Sequence, residues 1–142
     1  MPLKGYDSIC EKNARIVISK DYGGQQTHIA HNESLSKVFH YKVDGVILQT
    51  GNKCDFLLLR DGRDSKTAYF IELKGSDLCW AAKQLEQTAD RLSAQLSGYD
   101  FQYRIVANRC KTQEIENTSF KKYRIRWGKR LIYKTGSLTE KI

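Results

Sequence analysis

Three residues could do chemistry together: Asp55, Glu72 and Lys74. Glu72 and Lys74 stand two apart in AYFIELKGSD, residues 68–77, a run otherwise apolar up to its Gly-Ser stop. Side chains two apart on a strand share a face, so the carboxylate and the ammonium project together. The stretch CDFLLLR, residues 54–60, reads as a second strand, and the polar DGRDSK joins the two as an antiparallel hairpin. Folding about a loop centre near Asp64 sets Asp55 opposite the end that carries Glu72 and Lys74. Two carboxylates and the main-chain carbonyl of Leu73 make an oxygen site for magnesium, which keeps several waters. A metal there acidifies a bound water and balances charge on a phosphodiester at the moment of attack. Lys74 can orient that water or offset the negative charge developing on the phosphate.

The carriers, CD at 54–55 and ELK at 72–74, lie on a hairpin followed by a helix and a further strand. This pattern resembles the PD-(D/E)xK nuclease superfamily, which includes restriction endonucleases, Holliday-junction resolvases and repair nucleases. The resemblance covers Val38 to Asn108. It implies a restriction-endonuclease-like core in which Asp55 and Glu72 bind Mg2+, with Mn2+ able to substitute, and Lys74 assists catalysis. Cys54 stands where the family usually has proline, a departure at a structural position. A carboxylate from an N-terminal helix often joins such a site, and Glu11 and Glu33 are both open for that role. Related nucleases often place a helical Gln or Lys nearby, a part that Gln84 or Gln87 could take.

The elements that must position these groups follow from periodicity. VFHYKVDGVIL, residues 38–48, alternates and is interrupted at Asp44-Gly45, which predicts a hairpin turn. Asp44 is a rival for the acidic role, but Asp before Gly is foremost a turn residue. Leu78, Ala82, Leu85, Ala89, Leu92 and Leu96 recur at three- and four-residue steps, one apolar helical stripe capped by Ser76 or Asp77 and stopped by Gly98. Lys83, Gln84, Gln87 and Arg91 lie off that stripe, as a plain solvated face or as a phosphate-facing one. YDFQYRIVANR then reads as a strand, and KYRIRWGKRLIYK as a last hairpin turning at Gly128-Lys129. The first forty residues are ambiguous, with Ser8–Ile18 readable as a short helix or a helix running into a strand. The sum is one α/β domain, a mixed β-sheet with flanking helices, its core at 38–108 and a basic C-terminal β hairpin at 120–134.

Charge and composition bound the partners. Twenty-four Lys and Arg against sixteen Asp and Glu give +8 over 142 residues, which favours a polyanion, nucleic acid first. The surplus concentrates at Phe120–Lys134, with seven basic residues and no acidic one. Arg124, Arg126, Lys129 and Arg130 interleave there with Tyr123, Trp127 and Tyr133, as a clamp on phosphates or as an edge protected by charge. No apolar run approaches a membrane span, and no signal-peptide stretch opens the chain, so a cytoplasmic protein is expected. Four scattered cysteines fit reduced, mostly buried thiols. His28, His31 and His40 make no metal pattern with them. The expectation is a magnesium-dependent nuclease, DNA favoured over RNA, acting as a homodimer or within a larger complex. A non-catalytic nucleic-acid-binding or assembly subunit is the alternative, and a partner-binding protein with incidental charge the third.

Overall fold

The apolar runs between Val38 and Leu73 form a meander. In the computed structural model, which describes residues 2–10, 13–21, 23–73 and 77–142, β3 (Lys37–Lys42), β4 (Phe56–Asp61) and β5 (Lys66–Glu72) pair antiparallel. They follow β1 (Ile16–Lys20) and β2 (Thr27–His31). Both faces of β4 and β5 are covered, which is why FLLL and AYFI read as continuous apolar runs. Gly62 donates its N–H to Ser65 O (3.0 Å) in the turn that joins them.

Beyond β5 the chain crosses over through α1 (Leu78–Leu92) and returns as β6 (Asp100–Ala107), parallel to β5 with Phe70 beside Tyr103. Asp77 caps α1, its side chain accepting from Trp80 N (2.9 Å). The whole predicted stripe from Leu78 to Leu96 is buried. After α2 (Thr112–Ile115) and α3 (Thr118–Trp127), β7 (Leu131–Thr135) adds parallel to β6, giving the order β3-β4-β5-β6-β7.

Three expectations are corrected. The basic hairpin at 120–134 is instead α3, a 3-10 turn (Gly128–Arg130) and β7. Asn117 starts that helix by accepting from Ser119 N and Phe120 N (2.9 and 3.3 Å), and Phe120 and Trp127, seven apart, bury one side of it. The chain does not turn back at Asp44-Gly45 either. Val46, Ile47 and Leu48 all donate to Val43 O, Gly45 takes φ 79°, and an irregular segment with bends at residues 50–52 leads from there to β4. Finally, the described residues before β3 carry no helix. β1 and β2 are antiparallel and join β8 (Ser137–Lys141), parallel to β2, in a second sheet ordered β1-β2-β8.

The five-stranded sheet is therefore the middle layer. Leu78, Leu85 and Leu92 of α1, with Phe120 and Trp127 of α3, pack on its face of Leu57, Phe70 and Ile105. Val17, Ala30 and Leu138 of the small sheet cover the face of Leu58, Tyr69, Ile71 and Val106. Two buried polar clasps join the sheets. Ser19 Oγ meets His40 Nε2 at 2.8 Å, and Arg104 grips Glu140 with Nε and Nη2 at 2.7 and 3.0 Å. His28 Nε2 lies 2.7 Å from the same carboxylate. Burial, then the nearness of His28, lowers the pKa of His40 to about 4. Burial pushes the Glu140 carboxyl up, but hydrogen bonds from His28 and Arg104 outweigh it and hold the pKa at about 2. All four cysteines are free thiols, of which only Cys54 is fully buried. No helix among the described residues is long and apolar enough to cross a membrane.

Candidate metal centre

Asp55 immediately precedes β4 and Glu72 ends β5, so the two acids stand at the same end of neighbouring strands. Asp55 is 2% exposed and Glu72 1%. Phe56 is the register partner of Ile71, yet Asp55 N–H also donates to Ile71 O (3.1 Å). Two successive residues thus face one, the arrangement of a β-bulge, which bends a strand and re-aims a side chain. The Asp55 carboxylate accepts Leu73 N–H through Oδ2 at 2.7 Å, and its carbonyl accepts Val43 N–H at 2.9 Å. Asp55 is in this way fixed to all three strands of the meander. Both acids act on the neighbouring Cys54 thiol, whose pKa is pushed far up by burial first and then by Glu72, with Asp55 adding to it. Buried carboxylates persist only with hydrogen bonds, counter-charges or a metal.

The segment delivering Asp55 has no regular structure and borrows its order from α1. Arg91 Nη1 donates to Thr50 O (2.6 Å), Asn52 Nδ2 to Gln87 Oε1 (2.7 Å), and Lys53 N to Gln84 Oε1 (2.9 Å). Cys54 N donates to Thr88 Oγ1 (2.8 Å), which itself donates to Gln84 O (2.8 Å). Gln84, Gln87 and Arg91 thus hold the loop that leads into the acid. Sequence reasoning saw this polar face at helical spacing but missed Thr88. Its signal was a hydroxyl set between core positions Leu85 and Ala89, where a buried polar group needs a partner. Thr88→Val keeps the shape and orphans the buried Cys54 N–H, so thermal melts should show a loss of about 1–3 kcal/mol. Thr88→Ser should restore most of it.

The other sequence-derived residues are dispersed. Lys74 and Glu11 lie outside the described residues. Glu33 follows β2 and pairs with Lys141 (3.6 Å). The chain then enters β3 at Lys37, beside Asp61 at the far end of β4, so Glu33 is not brought to Asp55 and Glu72. Asp44 belongs to its turn, 3.6 Å from Lys53. Lys83 lies over the Trp80 ring at 5.8 Å. Arg126 binds Glu86, Arg124 Nη1 donates to Ile115 O (3.2 Å), and Lys129 and Arg130 are exposed in the 3-10 turn.

No protein-family model, curated protein or solved structure matches the chain. Among the described residues no three or more His, Cys, Asp and Glu side chains gather as a metal set. A cation here would rest on Asp55, Glu72, the Leu73 main-chain carbonyl and water. That all-oxygen donor set suits Mg2+ and not the soft metals that seek thiolate or imidazole.

Proposed function

We propose that this protein is a magnesium-dependent nuclease with a restriction-endonuclease-like core of the PD-(D/E)xK kind, acting on DNA in preference to RNA. The observation that carries the reading is the burial of both Asp55 and Glu72 at the same end of the paired strands β4 and β5, with a bulge at Asp55. The order of elements supports it, an antiparallel meander followed by a crossover helix and a parallel strand. Asp55 and Glu72 would hold the metal, with Mn2+ able to replace Mg2+. Bound there, it would acidify a water and neutralise phosphate charge. Lys74, two residues beyond Glu72, orients the water and offsets charge on the phosphate. The exposed cations of α3 and its 3-10 turn draw in the polyanion. A homodimer or a larger assembly would supply the footprint that one small domain lacks.

Cleavage of single-stranded, duplex and branched DNA and of RNA in Mg2+ tests the reading. Wild type should cut at least one of them and lose activity in EDTA. Lys74→Ala should fall by roughly a hundredfold or more, the scale of one lost electrostatic stabiliser. Equal rates in the two proteins would remove Lys74 from the mechanism. A second reading, a non-catalytic nucleic-acid-binding subunit, is favoured by how completely both acids are buried. Salt-dependent binding without cleavage of any substrate would select it.

A further inference from the structure

Between α3 and β7 lies an open groove of about 500 Å³, lined by Lys121, Arg124, Ile125, Gly128, Leu131 and Tyr133. Its walls are mostly apolar, two cations stand on its rim, and none of the six residues is acidic. Ile125 is 82% exposed, a large side chain left in water beside two further apolar ones. The volume falls in the range of small-molecule sites.

Three aromatic side chains of this region could face a ligand, and the fold commits two of them elsewhere. Trp127 stacks on Tyr103 (centroids 3.9 Å apart, 9° between planes) and is only 5% exposed. Tyr123 donates its hydroxyl to Glu86 (3.0 Å). Tyr133 remains, partly buried, its ring nearly perpendicular to that of Phe120 (centroids 5.3 Å apart, 79° between planes). The cations divide in the same way. Arg126 is taken by Glu86, whereas Lys121 pairs with an exposed Glu116 (2.8 Å) and Arg124 spends one N–H on Ile115 O. An apolar slot with one ring and two accessible cations matches a flat aromatic ligand carrying negative charge.

We propose that this groove seats one unpaired base of a single-stranded segment. The base lies against Tyr133 and Ile125, and the flanking phosphates rest on Lys121 and Arg124. The proposal rests on the nucleic-acid reading above and deepens it, since a fully paired duplex has no base to offer. It assigns to the region a preference for strands with unpaired nucleotides, set by stacking and so tolerant of base identity.

The test measures binding without metal, so that no strand is cut. Fluorescence anisotropy compares a thymidine decamer with an abasic decamer carrying the same number of phosphates. Tyr133→Leu should weaken the thymidine decamer about tenfold, the scale of one lost base–aromatic stack, and leave the abasic strand unchanged. Tyr133→Phe, which keeps the ring, should bind like wild type. Arg124→Ala should weaken both strands alike and lower the salt slope by about one. Melting curves confirm that each variant is folded. Equal binding of the two decamers by wild type, or displacement of the thymidine decamer by a polyglutamate peptide as readily as by an unlabelled copy, would overturn the groove alone. Failure to bind either decamer would overturn the groove, and failure to bind duplex DNA and RNA as well would overturn the nucleic-acid reading with it.

Discussion

On the proposed nuclease reading, Glu72→Gln should reduce magnesium-dependent cleavage by roughly a hundred- to thousandfold, corresponding to the several kcal/mol that a bound metal supplies in charge stabilisation. Glutamine has the volume of glutamate, so at this 1% exposed position the substitution leaves the packing nearly unchanged. What changes is the charge, and Mg2+ held by two carboxylates depends on that charge. The variant should therefore stay folded, as a near-wild-type melting curve would show, and should need far more Mg2+ for any residual activity. Asp55→Asn is a less clean probe. Asp55 Oδ2 also accepts Leu73 N–H, so its replacement mixes loss of charge with disturbance of the bulge. If Glu72→Gln cuts as well as wild type, Glu72 is not a metal ligand. If it melts much earlier and still binds nucleic acid normally, the buried acid serves the fold and not a reaction.

How far these features were legible depends on how local their causes are. β4, β5, α1 and β6 announced themselves because each packs a continuous or periodic apolar set, from the FLLL run to the stripe ending at Leu96. α3 reads as a strand in the sequence because Tyr123, Ile125 and Trp127 alternate, and the helical signals, Asn117 and the Phe120–Trp127 spacing, are only two. Tertiary packing decided the matter by burying Phe120 and Trp127 and leaving Ile125 in water. The small sheet was illegible for another reason. Its strands are five residues each, and β2 finds β8 across the chain, Thr27 beside Ser137. At the candidate centre the residue types were visible and their support was not. Asp55 and Glu72 stand out as acids on apolar strands. The bulge at Asp55 and the grip of Gln84 and Thr88 on the preceding loop are hydrogen bonds to main chain, and Gln87 holds the Asn52 side chain thirty-five residues away, neither of which a side-chain pattern records.

Arg104→Met should be the most destabilising single change outside the apolar core. Arg104 is 4% exposed and ties β6 to the small sheet through both oxygens of Glu140 on β8. It also donates to the main-chain carbonyls of Tyr103 and Arg130 (3.0 and 2.9 Å), and its guanidinium lies over the Tyr69 ring at 5.3 Å. Methionine fills much of the space and none of these bonds. Among the described residues Glu140 would keep His28 as its hydrogen-bond partner, and breaking one side of a buried ion pair costs about 3–5 kcal/mol because a charge is left uncompensated. For a domain of this size that lowers the melting midpoint by roughly 10–15 °C. The origin of the loss can be separated from lost packing by a second substitution. Glu140→Gln in the Arg104→Met background removes the stranded charge and still offers an oxygen to His28, so it should recover half or more of the stability. If the double variant melts no higher than Arg104→Met alone, the clasp works by packing and its charge is incidental. If Arg104→Met itself costs less than about 1 kcal/mol, in the range of an exposed pair, the two sheets are held by Val17, Ala30 and Leu138 against the face of Leu58 and Ile71. The polar clasps would then fix only their registration.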